Sequence, residues 1–414
     1  MKRLDGLQAL RGVAAAMVVT DHAMRAAIIQ GHSFVALEDF AGTIGRMGVN
    51  IFFILSGFIM TYTTRETQLL PPLVRTRTFL ARRVARLVPL YWLATAATLA
   101  IGTLEGTVYR VGTLVTSLLF LPNFADSGDW RMPPIVGVGW TLNYESLFYL
   151  IFAGSLLLPR RLGLAVSIGV IALLTGGGAI ALHHVDDEPW RRIITFYAFR
   201  NMVFFAIGIV IAIVLHRAPA APSQRAFWLG IAIIAVTLSG YLVFGITEGV
   251  AAWSVFSAMS CTLVVILAAR DAALPATALN RVLLHLGEAS YSIYLFHALL
   301  MDRLAAGIES DFSVLRGAVF ASAATLACLM LGSVVHSAVE VPLGAMLRRP
   351  WRVTPARRHS AESPARGIPV SSHDRGPVPV TDHRHLRSAA HRQRAVERGG
   401  RAPRPFERAI AEMA

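Results

Sequence analysis

Apolar residues run along this chain in long blocks separated by short polar loops. A helix needs about 20 of them to cross the hydrocarbon core of a bilayer. About ten blocks approach or reach that length: 9–29, 44–63, 87–104, 140–158, 162–182, 195–215, 226–244, 250–269, 283–307 and 314–347. The run 111–121 is too short to span and reads as an interfacial or re-entrant piece. The pattern predicts an all-α, polytopic membrane helix bundle.

The loops give that bundle an orientation. With Lys2 and Arg3 in the cytoplasm, the loops on the same side carry twelve arginines against two acids, Glu66 and Asp271. The opposite loops hold most of the acids, among them Glu38, Asp39, Asp186, Asp187 and Glu188. Basic loops are retained on the cytoplasmic side, so about ten spans place both termini inside. The first block is not read as a cleaved leader. A leader has an uninterrupted apolar stretch, and this block contains Arg11, Asp21 and His22.

Composition agrees with the pattern. Of 414 residues, 55% are hydrophobic and 15% charged, against about 25% charged in an ordinary soluble domain. A disordered protein is excluded, and a soluble enzyme disfavoured. The net charge of +14 would suggest nucleic acid if it were evenly spread, but from Arg348 onward there are 15 arginines and 6 acids. The chain therefore divides into a membrane domain, 1–347, and a basic tail, 348–414. The tail has too few large apolar residues to offset the entropy of ordering, and it is suited to rest on anionic membrane lipid; no nucleic-acid partner is expected. Cys261 and Cys328 lie in apolar runs and read as small buried hydrophobes. A single lysine, Lys2, beside abundant arginine and alanine points to a GC-rich bacterial genome and hence to the inner (plasma) membrane.

An ionisable side chain inside a span is costly and marks a functional site by default. Arg11 and His22 lie eleven residues apart, which brings them within about 20° of the same helical face and about 16 Å apart along the axis. Arg11 sits at the cytoplasmic end, where its stem can reach the interface; His22 lies near mid-membrane, where it cannot. Taken singly, Arg11 reads as a topology anchor and His22 as an interhelical hydrogen bond, and their shared face weakens both of those readings. Asp21 points about 100° away and is free to pair with an arginine of another helix.

That pair, in a first helix opening Leu4-Asp5-Gly6-Leu7-Gln8-Ala9-Leu10-Arg11-Gly12, resembles the signature of the acyltransferase-3 family of integral membrane acyltransferases. Gly48-Val49-Asn50-Ile51-Phe52-Phe53-Ile54-Leu55-Ser56-Gly57-Phe58 is similar to the family's second block, with Asn50 where many members have Asp. Trp140-Thr141-Leu142-Asn143-Tyr144-Glu145-Ser146-Leu147-Phe148-Tyr149 resembles its Trp…Glu…Phe-Tyr block in the exopolysaccharide-type variant. Ser290-Tyr291-Ser292-Ile293-Tyr294-Leu295-Phe296-His297 and Glu340-Val341-Pro342 resemble two late blocks. The resemblance covers roughly residues 4–345, in family order.

The resemblance implies transfer of an acyl group, acetyl above all, from acyl-CoA to a hydroxyl of a sugar, glycoside or polysaccharide precursor. In that light His22 is the general base, since imidazole titrates near the working pH. Arg11 is suited to hold a phosphate of the donor, and the thin pantetheine arm would carry the thioester inward. Glu145 joins the catalytic set, to orient His22, bind sugar or anchor its helix. Trp140, Asn143 and Tyr144 are assigned to the acceptor, although interfacial aromatics are commonly membrane anchors. Arg82, Arg83 and Arg86 are spaced to present one basic helical face to CoA phosphates; positive-inside anchoring explains them equally.

Other polar positions read more plainly. Ser56 and Gly57 suit close helix packing. Ser290, Tyr294 and His297 share a face suited to polar interhelical contacts. Arg200 and Asn201 are candidate partners for Asp21 or Glu145. His336 and Glu340 stand at i, i+4 without a third ligand, so no metal site is expected. A secondary transporter using intramembrane Arg, His and Asp is the alternative, and a non-catalytic scaffold the third reading. The paired broken helices and internal repeats common in transporters are not evident in the sequence.

Overall fold

A computed structural model describes residues 4–30, 35–123, 133–181, 196–197, 200–217, 224–244, 259–266, 275–307 and 313–348. Among them there are helices and no strands. The elements are α1 (Asp5–Gln30), α2 (Val35–Thr63), α3 (Pro72–Leu104), α4 (Val111–Leu118), α5 (Trp140–Ser155), α6 (Arg160–Ala181), α7 (Val203–Arg217), α8 (Gln224–Phe244), α9 (Ala278–Glu288), α10 (Ser290–Ala306), α11 (Val314–Val335) and α12 (Val341–Arg348). A further helical segment covers 259–266, and a π-helical turn, His336–Glu340, joins α11 to α12. Three described helical stretches are long and apolar enough to cross a membrane: Glu38–Thr63, Pro72–Leu104 and Val314–Leu347. The expected span 250–269 lies mostly outside the described residues, as does the tail beyond Arg348.

Three elements depart from the apolar pattern. α3 is one 33-residue rod, so Arg75, Arg82, Arg83 and Arg86 share it with the span instead of occupying a separate amphipathic helix. Pro72 at its first turn lacks an N–H that would be orphaned anyway, and Pro89 sits inside the rod. The block 283–307 is two helices, α9 and α10, meeting at Ala289. The block 314–347 continues through the π turn. Pro342 explains that turn: it has no N–H for the carbonyl four residues back and its ring crowds that carbonyl, so the backbone widens just before it.

α1 is central and packs against α2, α9, α10 and α11. Glycines let these helices approach closely. A Cβ on Gly12 would stand 2.8 Å from the Leu283 carbonyl oxygen, and one on Gly287 would lie 3.2 Å from the Gln8 side chain, so α1 and α9 touch backbone to backbone. Gly57 and Gly208 do the same for α2 and α7: a methyl on either would fall 2.1 Å from a carbonyl oxygen of the other helix. Gly57 therefore serves the close packing expected of it. Around this crossing Phe53, Tyr144, Phe148 and Phe205 form a buried aromatic core, with Phe148 and Phe205 stacked at 4.3 Å.

Gly57→Ala should destabilise the bundle by roughly 1–3 kcal/mol, the usual cost of overpacking a tight contact. Thermal unfolding in detergent would measure it; an unchanged midpoint would contradict the α2–α7 contact.

Candidate functional site

α1 is unbroken from Asp5 to Gln30, so the helical arithmetic applies: Arg11 and His22 project from one face about 16 Å apart. Between them on that face lie only Ala15 and Val18, both buried. The His22 Nδ1 stands 2.9 Å from the Val18 carbonyl oxygen. A carbonyl can only accept, so Nδ1 carries the proton and Nε2 is left as the lone-pair nitrogen. The side chain is 37% exposed, which leaves it reachable. His297 of α10 stands edge-on to it, ring centroids 4.9 Å apart. His297 is fully buried, its Nδ1 3.1 Å from the Ile293 carbonyl, and its Nε2 has no hydrogen-bond partner. Asp21 does not pair with another helix: the Arg25 Nε donates to it at 2.7 Å on α1 itself, and Arg25 also reaches Glu38 at 3.3 Å.

Toward the other end of α1 the interior becomes charged. Arg11 is half-buried, and one of its nitrogens donates to the Gln8 side chain at 3.3 Å. It lies in the field of Arg86, Glu340, Glu145 and Tyr149. Glu145 is fixed by two donors on one oxygen: the Ser56 hydroxyl at 3.0 Å and the Tyr149 hydroxyl. Ser56 thus has a polar partner as well as a packing role. Arg83 is buried between the rings of Phe79 and Tyr149, at 5.7 and 5.9 Å, and its Nε has no partner. Between the charged tier and His22, the Tyr294 hydroxyl donates to the Val138 carbonyl at 2.9 Å and also meets Thr141, tying α10 to the start of α5.

At the Arg11 end a recess opens among Thr63, Thr64, Thr67, Thr78, Arg82 and Arg83, with Arg75 and Phe79 in its wall. Hydroxyls beside guanidiniums suit a phosphate chemically. Arg75 has another task. It donates to the Leu156 and Leu158 carbonyls and to Gln68, and so closes the C-terminal end of α5, whose last carbonyls have no partner within the helix.

Several predicted residues do not join this arrangement. Tyr144 is fully buried, stacked on Phe196 at 4.5 Å, with its hydroxyl donating to the Phe196 carbonyl at 2.6 Å; that is a core tyrosine, and no ring face is open to a sugar. Asn143 is two residues from Glu145, which is about 200° around the helix, so it points away from the Glu145 side. It is buried, and both side-chain amide atoms lack partners. Trp140 is half-buried at the start of α5, 5.9 Å from Tyr144. Arg200 and Asn201 fall in the 3-10 turn Arg200–Met202, while Asp21 and Glu145 are satisfied by Arg25 and by Ser56 and Tyr149. Both cysteines are buried and free. Among the described residues, no group of three or more His, Cys, Asp or Glu could hold a metal ion.

A helical chain with apolar rods, an inward-facing imidazole and a cluster of buried arginines defines a membrane transferase better than a soluble one. The chain belongs to the acyltransferase-3 family: the family's acyltransferase domain matches residues 4–335. It is 32% identical over 307 residues to the exopolysaccharide production protein ExoZ of Rhizobium meliloti, covering 73% of this chain and 90% of that one. It is 26% identical over 395 residues to the acyltransferase MdmB of Streptomyces mycarofaciens, covering 85% and 95%. No solved structure matches it significantly. The protein is thus an enzyme, a membrane acyltransferase moving groups other than aminoacyl groups, which sets the transporter and scaffold readings aside.

Arg75→Met should lower the unfolding temperature, because the end of α5 loses its donors, while leaving donor KM near wild type. A large rise in donor KM with unchanged stability would place Arg75 in the donor site instead.

Proposed function

We propose that the protein transfers an acyl group, acetyl by preference, from acyl-CoA to a hydroxyl of a sugar, glycoside or polysaccharide precursor. The observation that carries this reading is the pair on α1: a reachable imidazole with its Nε2 free, on the same face as a half-buried guanidinium about 16 Å away. The name of the relative from Rhizobium meliloti supports a carbohydrate acceptor.

The donor's phosphates lie against Arg82, Arg83 and Arg86 at the threonine-lined recess, with Arg11 at the inner edge. Guanidiniums match phosphate oxygens in charge and geometry. The pantetheine arm follows the Ala15–Val18 face toward His22, where small and apolar side chains leave nothing charged to desolvate. The acceptor hydroxyl then gives its proton to the His22 Nε2 as its oxygen attacks the thioester carbon. When the tetrahedral intermediate collapses, the carbon–sulfur bond breaks and the departing thiolate takes that proton back, so His22 ends neutral. Holding both reactants at one base converts a bimolecular encounter into a positioned one.

Glu145 acts one tier away, as the counter-charge that keeps the arginines ordered. Trp140 retains surface for a sugar ring, with Tyr144 and Asn143 supporting it from the packed side of α5. The reading includes about ten spans with both termini cytoplasmic, a bacterial inner-membrane location and a basic tail from 348 onward that lies on anionic lipid.

Purified protein supplied with radiolabelled acetyl-CoA and an extracted glycan should label the glycan. His22→Ala should lower transfer by about 10²–10⁴-fold, the range of general-base contributions; unchanged transfer would remove the base assignment. Arg11→Ala should raise donor KM more than it lowers kcat, and an unaltered donor KM would remove its role.

A further inference from the structure

Glu340 is a carboxylate that the transfer chemistry above does not use, and its setting is specific. It closes the five-residue π turn His336–Glu340, the one described departure from α geometry in the stretch from Val314 to Arg348. Pro342 forces that widening. The turn brings Glu340 to α10, 48 residues away in sequence, where the Ser292 hydroxyl donates to its Oε2 at 2.6 Å. The His336 Nδ1 meets the same oxygen at 2.8 Å. One oxygen is therefore held by two donors while the other, Oε1, has no recorded hydrogen bond.

The same pattern occurs at Glu145, where Ser56 and Tyr149 both donate to a single oxygen. Two carboxylates, from α5 and from the π turn, are thus each held through one oxygen. Both act on Arg11 across the charged tier, and Glu340 acts on Arg86 as well. Arg11 and Arg86 repel one another, and in an apolar bundle a guanidinium without a counter-charge is expensive to keep. A carboxylate that is itself immobile fixes where such a guanidinium rests, which a mobile one would not.

We infer that Glu340 is a positioning residue of the donor site: the π turn ahead of Pro342 presents its free oxygen to Arg11 and Arg86 and sets both guanidiniums for the phosphates of acyl-CoA. The inference rests on the donor reading proposed above and adds a residue and a backbone device to it. It also gives Glu340-Val341-Pro342 a physical meaning, since the proline makes the turn and the turn places the acid.

The test uses full-length protein in detergent, with coenzyme A as the binding probe and radiolabelled acetyl-CoA for turnover. Glu340→Gln should raise both the Kd for coenzyme A and the donor KM about tenfold, the size of one lost charge-assisted contact, with a smaller effect on kcat. Glu340→Asp should recover part of the affinity, and Pro342→Ala should weaken binding in the same direction. Ser337→Ala, an exposed position in the same turn, should bind as wild type. Should Glu340→Gln fail to fold, Ser292→Ala and His336→Gln each remove one donor from the carboxylate and should weaken coenzyme A binding several-fold, roughly the worth of a single hydrogen bond. Wild-type protein that binds coenzyme A, with Glu340→Gln or both donor variants binding equally well, overturns this inference alone. Wild-type protein that binds none overturns the donor reading and this inference with it.

Discussion

Charge inside an apolar bundle has to be compensated where it sits, and the interior of this protein is organised around that need. Arg11, Arg83 and Arg86 converge from α1 and α3 into a region that water covers only in part. Removing one partner of a buried ion pair leaves a charge with nothing to answer it, which costs several kcal/mol. Glu145 and Glu340 supply the answering charge, and each is itself fixed by a hydroxyl from a different helix: Ser56 on α2 and Ser292 on α10. Four helices and a π turn are thereby tied to one electrostatic arrangement. The apolar packing around it fixes the helices closely enough for those contacts to form.

Glycine provides that closeness. Between helices in a membrane there is little hydrophobic driving force, so association depends on packing and interhelical hydrogen bonds. Gly12 and Gly287 bring α9 onto α1, and Gly57 and Gly208 bring α7 onto α2. In the second case the residue before Gly57 is Ser56, whose hydroxyl holds Glu145. Backbone approach and site geometry are adjacent steps along one helix, so a displacement of α2 from α7 reaches the carboxylate directly.

Much of this was legible in the sequence, for identifiable reasons. The shared face of Arg11 and His22 follows from helical period alone, and it needed only that α1 be continuous. The i, i+4 contact of His336 with Glu340 was visible in the same way. The opposition of Asn143 to Glu145 was equally computable, being two helical steps, yet motif membership grouped them. The contacts that complete the site were not legible, because they join distant positions: Ser56 to Glu145 across 89 residues, Ser292 to Glu340 across 48, and His297 to His22 across nearly the whole described chain. Spacing carries no information about such pairs. Tyr144 shows the converse, since an aromatic near a helix start reads as an interfacial anchor or a sugar platform until Phe196 is seen stacked on it. The continuity of α3 was hidden by its arginines, which lower the local hydropathy without breaking the helix.

The separation of the two tiers has a chemical logic of its own. A base that must accept a proton loses basicity near positive charge, because a neighbouring cation disfavours its protonated form. Placing the phosphate-binding arginines and the proton-accepting imidazole at one point would set the two tasks against each other. Here about 16 Å of helix separates them, and the face between is lined by Ala15 and Val18 with no charge. Only a long, thin, largely uncharged arm can join the two ends, with its anionic part at one and its reactive carbon at the other. The spacing on α1 therefore selects for the shape of the donor as well as its charge: a compact acyl phosphate would satisfy the arginines yet leave its acyl carbon far from His22.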